Sequence, residues 1–168
     1  MGKTSSVIGS TLIFFLAPGV VAFLLPWLLS QWPVDPMWRD VPVLAWSGAV
    51  IGAIGLLALI ECFARFALKG LGTPAPIAPT KHLIVTGLYK FVRNPMYVAV
   101  LAIILGHALW FASWPVLAYA AFVWLSFTTF VMSYEEPTLR ASYGEEYAVY
   151  CANVGRWLPR LSPWSPPV

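Results

Sequence analysis

Charge is what this chain has least of. Of its 168 residues, 10% are Asp, Glu, Lys or Arg and 60% are hydrophobic. Ordinary soluble domains run at about 25% charged and roughly 45–50% apolar. A soluble chain this small leaves much of its surface exposed and could not hide such an excess. The same excess excludes intrinsic disorder. A net charge of +3 is too weak and too scattered to track a phosphate backbone, which excludes nucleic-acid binding as the main role. Cysteine is also scarce. Cys62 and Cys151 lie far apart with no C-x-x-C spacing, so neither a disulfide framework nor a cysteine metal site is expected. His82 and His107 are isolated, and zinc needs more partners than these, so no metal is expected. With a mean hydropathy of +0.76, the composition points to an integral membrane protein.

A helix needs about 20 apolar residues to cross the hydrocarbon layer. Four stretches qualify, at about 7–29, 42–68, 95–112 and 115–134. The first is longer than a signal-peptide core and has no evident cleavage site, so it reads as a span. The expected fold is therefore all-α: a single membrane domain over 1–168, with four transmembrane helices and a C-terminal interfacial helix. Lys and Arg favour the cytoplasmic side. Lys3, the segment holding Lys69, Lys81, Lys90 and Arg93, and the tail holding Arg140, Arg156 and Arg160 all fall on one face. Both termini are thus expected in the cytoplasm. Trp27, Trp32, Trp38, Trp46, Trp110 and Trp114 fall at the opposite interface as an aromatic belt.

The stretch Gly70 to Pro79 is Pro-rich and reads as extended and irregular. The tail beyond Pro137 is too polar to span. Its Leu139, Tyr143, Tyr147 and Tyr150 recur at helical spacing, which predicts an amphipathic helix on the membrane surface. Gly144 weakens that helix.

Polar groups converge at one place, the mouth of the last two spans. Asn94-Pro95 is a helix-start signal, with Asn as cap and Pro at the first helical position. The turn near Trp114 folds the fourth span back along the third. Both are about 18–20 residues long, so at roughly 1.5 Å per residue their ends come level. This predicts Arg93, Asn94 and Tyr97 beside Tyr134, Glu135 and Glu136. Pro137 is expected to push Glu136 out of the helical region and turn the chain there. Two adjacent carboxylates at a helix C-terminus meet an already negative dipole and repel each other. Either they solubilise a helix end and pair with Arg93, or they await a cationic or hydroxyl-rich ligand. Tyr89 and Tyr97 read equally as interfacial aromatics. Glu61 and Arg65 stand one turn apart and can pair near the interface, although intramembrane charge also marks functional sites. His107 reads as an interfacial histidine, and both cysteines as inert.

The run His82-Leu83-Ile84-Val85-Thr86-Gly87-Leu88-Tyr89, continuing to Arg93-Asn94-Pro95-Met96-Tyr97, resembles a family signature. This is the HxLVTxGxYxxxRHPxY element of the isoprenylcysteine carboxyl methyltransferase and phospholipid methyltransferase superfamily. Glu135-Glu136-Pro137-Thr138-Leu139 with Tyr143-Gly144-Glu145-Glu146-Tyr147 and Tyr150 resembles its EExxL…FGxxYxxY block. Arg156-Trp157-Leu158-Pro159-Arg160 is similar to its closing VPRxxP element. Together these cover about half the chain. The resemblance implies a membrane methyltransferase using S-adenosylmethionine, with the cofactor in a cytoplasmic pocket under the loop 70–94 and the tail 135–168. It implies cofactor binding by His82, Val85, Gly87, Tyr89, Asn94, Pro95, Tyr97, Glu135 and Glu136, and catalytic roles for Arg93 and Glu136. It also implies a lipophilic acceptor, either prenylcysteine-like or phospholipid-like, and membrane lipids as partners. The acidic pair can accept from the cofactor's ammonium and ribose hydroxyls. Tyr89 or Tyr97 can face its adenine or sulfonium.

Two positions depart from the pattern. Asn94 stands in place of histidine, and Ala99 where a glycine often follows the tyrosine. The turn before the acidic pair, Phe130-Val131-Met132-Ser133, lacks the arginine that holds a prenylcysteine carboxylate in eukaryotic relatives. A non-catalytic membrane scaffold that retains the fold is the alternative reading.

Overall fold

The computed structural model describes residues 16, 18–31, 41–69, 83 and 85–165. All regular structure among them is helical. A π turn, Val20–Leu24, opens into α1 (Leu25–Ser30). Then follow α2 (Pro42–Lys69), a 3-10 turn (Gly87–Lys90), α3 (Pro95–Trp110) and α4 (Trp114–Phe130). A second π turn, Val131–Glu135, joins α4 to α5 (Glu136–Asn153). Two helical stretches are long and apolar enough to cross a membrane: Pro42–Arg65 and the continuous helix that starts at Trp114. Val20–Ser30 and Pro95–Trp110 are apolar but shorter. Residues 7–15 and 17 of the expected first span, Trp32 and Trp38 of the expected belt, and 70–82 and 84 of the expected loop lie outside the described residues.

α2 and α3 run antiparallel along a glycine seam. A Cβ on Gly48 would lie 2.8 Å from the Gly106 carbonyl oxygen, and one on Gly55 would lie 2.8 Å from the Ala99 carbonyl oxygen. A Cβ on Gly106 would lie 2.7 Å from the Gly48 oxygen and 2.8 Å from the Gly52 backbone. In lipid no hydrophobic force drives helices together, so close backbone approach at small residues supplies the attraction. Leu59, Phe63, Val100, Ile103 and Ile104 fill the core beside the seam, with Val116, Ala120 and Val123 of α4 behind them. The Tyr119 hydroxyl donates to the Val21 carbonyl (2.9 Å) and ties α4 to the N-terminal π turn. Outward-facing side chains are large and apolar, among them Val43, Leu57, Phe122 and Leu125, as a lipid-facing surface requires.

α3 stops at Trp110, two residues short of the expected end. Ala112 adopts a φ of 50°, and the Ser113 amide turns back to the Ala108 carbonyl (3.0 Å). The Ser113 hydroxyl then caps α4 by accepting from the Val116 amide. At the other end, Asn94 precedes α3 as expected but does not cap it with its side chain. That amide is engaged elsewhere, as described below.

The expectation of a turn at Pro137 is corrected. Proline lacks an N–H, and its ring collides with the carbonyl four residues back. Here the chain shifts to i→i+5 bonding just upstream: the Glu136 amide donates to the Val131 carbonyl. The wider π turn accommodates Pro137, and Glu136 stays helical at φ −63°, ψ −43°. The N-terminal π turn does the same for Pro26, with the Leu25 amide donating to Val20. Glu135 and Glu136 therefore lie mid-rod rather than at a helix C-terminus, and the dipole argument does not apply to them. The real break comes at Gly144 (φ 51°, ψ −122°). Beyond it Tyr147 and Tyr150 are buried with Val154, and Leu139 and Tyr143 pack against them.

Candidate functional site

The chain returns after α5 and lies along the residues that precede α3. The Arg93 amide donates to the Gly155 carbonyl (2.9 Å), the Arg160 amide to Phe91 (2.9 Å) and the Trp164 amide to Lys90 (3.0 Å). The Tyr150 hydroxyl donates to the Tyr89 carbonyl (2.6 Å). The Asn94 side-chain amide donates to the Arg156 carbonyl (3.2 Å). This last bond explains why Asn94 leaves its helix uncapped.

The clasp brings two acids under different regimes. Arg156 grips Glu136 with two parallel bonds, Nε to Oε1 at 2.7 Å and Nη2 to Oε2 at 3.0 Å. Arg93 adds a third contact, Nη1 to Oε1 at 3.1 Å. The Arg93 and Glu136 side chains are each only 10% exposed. Arg93 Nη1 also reaches Cys151 Sγ (2.7 Å). Burial pushes the Glu136 carboxyl up, but the Arg156 hydrogen bonds and the Arg93 charge outweigh it and hold it below the usual carboxylate range. Its neighbour is the reverse. Burial pushes Glu135 up; the Tyr97 bond pulls against that and the Glu136 charge adds to it, leaving Glu135 above the usual range. Among the described residues only Tyr97 bonds Glu135, its hydroxyl donating to Oε2 at 2.9 Å. The Tyr97 ring leans on Phe127 at a tilt (4.6 Å between centroids) and meets Trp157 edge-on (6.5 Å).

Of the expected convergence, Arg93 meets Glu136, Tyr97 meets Glu135, and Asn94 joins through Arg156; Tyr134, expected with them, is half-exposed against Phe130. Buried Pro95 starts α3 between them. Tyr89 is adjacent, its carbonyl held by Tyr150. Burial drives its phenol well above its usual range, and the nearby Cys62 and Glu135 charges add to that. Val85 and Gly87 lie apart from the acids. Val85 packs under Tyr147 and Tyr150. Gly87, at φ 58°, faces α2, where an added Cβ would land on the Arg65 guanidinium. His82 lies outside the described residues. The sequence reading missed Trp157, the pairing of Arg156 with Glu136, and Cys151 as a contact of Arg93. Only the resemblance of the Arg156-Trp157 segment to a family element signalled that this stretch mattered.

The family model of phospholipid methyltransferases matches residues 43–146, from the start of α2 to just past the Gly144 break. The chain belongs to the phospholipid methyltransferase family. No curated protein matches it. The family match takes in the glycine seam, the loop before α3 and both acids, and it stops short of Arg156. Membership, together with the apolar helices, makes the chain a membrane protein of methyltransferase type.

Proposed function

We propose that this chain transfers a methyl group from S-adenosylmethionine to a lipophilic acceptor that enters from the bilayer. In this reading the four apolar stretches at about 7–29, 42–68, 95–112 and 115–134 cross the membrane, and the polar mouth with both chain ends faces the cytoplasm. The observation that carries the proposal is the contrast between the two acids. Both Glu136 oxygens are engaged by guanidinium groups, whereas among the described residues Glu135 is bonded through one oxygen by Tyr97 alone. A carboxylate held this way can accept from an ammonium or from ribose hydroxyls. The Tyr97 ring stands beside it and meets Trp157 edge-on, so an aromatic face is at hand for a sulfonium or a purine. The donor set thus fits the cofactor.

When bound, the cofactor supplies the electrophilic methyl, which needs no metal. The chain's own work is binding, orientation and exclusion of water. Glu135, Tyr97 and Trp157 hold the cofactor, with Asn94, Pro95 and Tyr89 around it; the family resemblance adds His82 to the cofactor-binding set. Glu136 acts as a positioning residue: it fixes Arg93 and Arg156, and through them the tail that roofs the site. Val85 and Gly87 support the loop from either side. The exchange of histidine for Asn94 keeps an N–H donor toward the Arg156 carbonyl, so this departure preserves the clasp.

Calorimetry on the purified chain tests the reading. We expect S-adenosylmethionine to bind in the micromolar range, with affinity lost in the Glu135→Ala/Glu136→Ala double variant. Unchanged binding in that variant would remove the site assignment. Radiolabel from the cofactor is expected in the lipid fraction of membranes holding the chain, and its absence across a broad acceptor panel would favour the scaffold reading.

A further inference from the structure

The returning tail carries apolar groups on two edges. The inner edge is accounted for. Val154 is buried with Tyr147 and Tyr150, Trp157 meets the Tyr97 ring, and the Trp164 ring lies 5.7 Å from that of Tyr150. The outer edge is not. Leu158 is 82% exposed, the same as Val43 on the outward side of α2, and Leu161 is fully exposed. Water is a poor solvent for such a pair. The backbone around them is suited to drier surroundings. Pro159 and Pro163 carry no N–H, and the amides of Arg160 and Trp164 are bonded to the Phe91 and Lys90 carbonyls. An unbonded amide is costly to take out of water, and these four positions present none. The edge is also basic. Arg160 stands between the leucines, its Nη1 donating to the Asn153 carbonyl (3.1 Å), and Lys90 Nζ donates to the Ser165 hydroxyl (3.0 Å). Both acceptors are neutral, and among the described residues neither cation meets a carboxylate.

We propose that Leu158 and Leu161, flanked by Arg160 and Lys90, form a wedge that inserts into an anionic bilayer surface and so holds the tail down over the polar mouth. The inference rests on the methyl-transfer reading for the ligand that the tail controls, not for the contact itself. Two leucines are too small for a stable protein interface, which takes about 800 Å² from each side. A membrane surface asks for less: a few apolar side chains at the headgroup boundary beside cations that meet its negative charge. The level is right. Phe91, which accepts from the Arg160 amide, lies four residues ahead of the first residue of α3, so the strip is fastened where that apolar helix begins. The wedge is coupled to the site through the chain. Trp157 is next to Leu158, and Arg156 is next to Trp157. A tail that lifts takes Trp157 off Tyr97 and Arg156 off Glu136 together; a tail pinned by lipid keeps both in place.

Photocrosslinking reads the occupant and amide deuterium exchange reads the tail, and neither needs the cofactor. With p-benzoylphenylalanine in place of Leu161, the full chain in nanodiscs of phosphatidylcholine and phosphatidylglycerol is expected to give a lipid adduct as its main photoproduct. Exchange across 155–165 is expected to be about ten-fold slower in those discs than in phosphatidylcholine alone. Leu158→Gln/Leu161→Gln is expected to remove that difference; both side chains are exposed, so the substitution leaves the packing intact. S-adenosylmethionine affinity should follow the same pattern, about ten-fold tighter with phosphatidylglycerol in the parent and equal in both lipids in the double variant. Arg160→Gln, which keeps the leucines, should reduce both effects to about three-fold. A main photoproduct within the chain or with a second copy overturns the bilayer assignment. A parent that does not distinguish the two lipids, or a double variant that distinguishes them as the parent does, overturns the wedge. Leucine-dependent protection in a chain that binds no S-adenosylmethionine leaves the wedge standing and removes the proposed function.

Discussion

The seam between α2 and α3 and the clasp between the tail and the loop before α3 hold the molecule by opposite means. Among the described residues the seam has no charge and no side-chain hydrogen bond. Backbone lies on backbone because Gly48, Gly55 and Gly106 leave no Cβ between them. The clasp is built from side-chain charge and main-chain hydrogen bonds: Arg156 and Arg93 on Glu136, with the Arg93 amide donating to the tail and the Arg160 and Trp164 amides donating back to the loop. Lipid solvates a glycine seam no better than the helices solvate each other, so the seam depends on shape. Water competes for every bond in the clasp, so the clasp depends on burial and charge. The seam can tolerate pH and salt but not volume; the clasp tolerates volume at its edges but not a change of charge.

The sharpest break of that contrast is Gly106→Leu. An added Cβ meets the Gly48 oxygen and the Gly52 backbone at under 3 Å, and backbone cannot rotate out of the way. Overpacking of this kind costs about 3 kcal/mol, enough to abolish a marginal fold. We expect loss of the monodisperse species in detergent and no pH at which it returns. Gly52→Ala is the control. Its Cβ would meet Gly106 at 3.7 Å, an ordinary contact, and its melting temperature should stay within a few degrees of the parent.

Next comes Glu136→Gln. Removing one partner of a buried ion pair costs roughly 3 kcal/mol, because the other charges stay buried. Here two guanidinium groups, on Arg93 and Arg156, lose their anion. The pH dependence carries the sign. The folded-state carboxyl lies below its ordinary value, so its stabilisation is full above that ordinary value and is lost as pH falls through the lowered one. The melting difference between parent and variant should be largest at neutral pH and close in acid. A constant difference would mean that the charge is not what holds the tail.

Part of this architecture was legible in the sequence because it is local or nearly so. Asn94-Pro95 starts α3, the short turn at Ser113 folds α4 back, and equal helix lengths bring Tyr97 level with Glu135. The four-span count and the orientation rest on the hydropathy and charge pattern, and among the described residues two helical stretches meet a spanning length. The Pro137 reading failed for a specific reason. Proline forbids an ordinary α turn, but the π turn at Val131–Glu135 is a way round it that no propensity announces. The role of Asn94 was misread because capping is the nearest option, whereas its donor goes 62 residues along the chain to Arg156. The pairing of Arg156 with Glu136 was invisible for the same cause: the Gly144 break decides where the tail goes, and its direction is a tertiary fact. The glycine seam carries a Gly48-x-x-x-Gly52 spacing that sequence could have offered, since close helix approach in lipid favours it.

Glu135→Gln sharpens the comparison within the clasp itself. The folded-state carboxyl lies above its ordinary value, so what stability it contributes is present in acid, below the unfolded value, and is lost as pH rises through the raised one. At neutral pH the amide removes a disfavoured charge while keeping an oxygen for Tyr97. We expect stability at pH 7 to rise by up to about 1 kcal/mol, opposite in sign to Glu136→Gln one residue away. S-adenosylmethionine affinity should nevertheless fall about ten-fold, since a charge-assisted acceptor is exchanged for a neutral one. Equal and same-signed effects of the two substitutions on melting would erase the distinction between a held acid and an open one.

The smallest effect belongs to Tyr97→Phe. The ring contacts with Phe127 and Trp157 remain, and only the hydroxyl bond to Glu135 goes. A single partly buried hydrogen bond contributes about 1 kcal/mol, and its loss here lets the Glu135 side chain rotate. Because that bond pulls the Glu135 carboxyl down, its removal should raise the carboxyl further. The pH at which cofactor affinity sets in should therefore move upward, with maximal affinity reduced only a few-fold. A seam residue cannot shift a pH profile, and a purely structural tyrosine would lower stability while leaving the profile in place. An upward-shifted binding profile with the melting temperature lowered by only about 2–4 °C is thus the signature that Tyr97 serves the open acid as well as the fold.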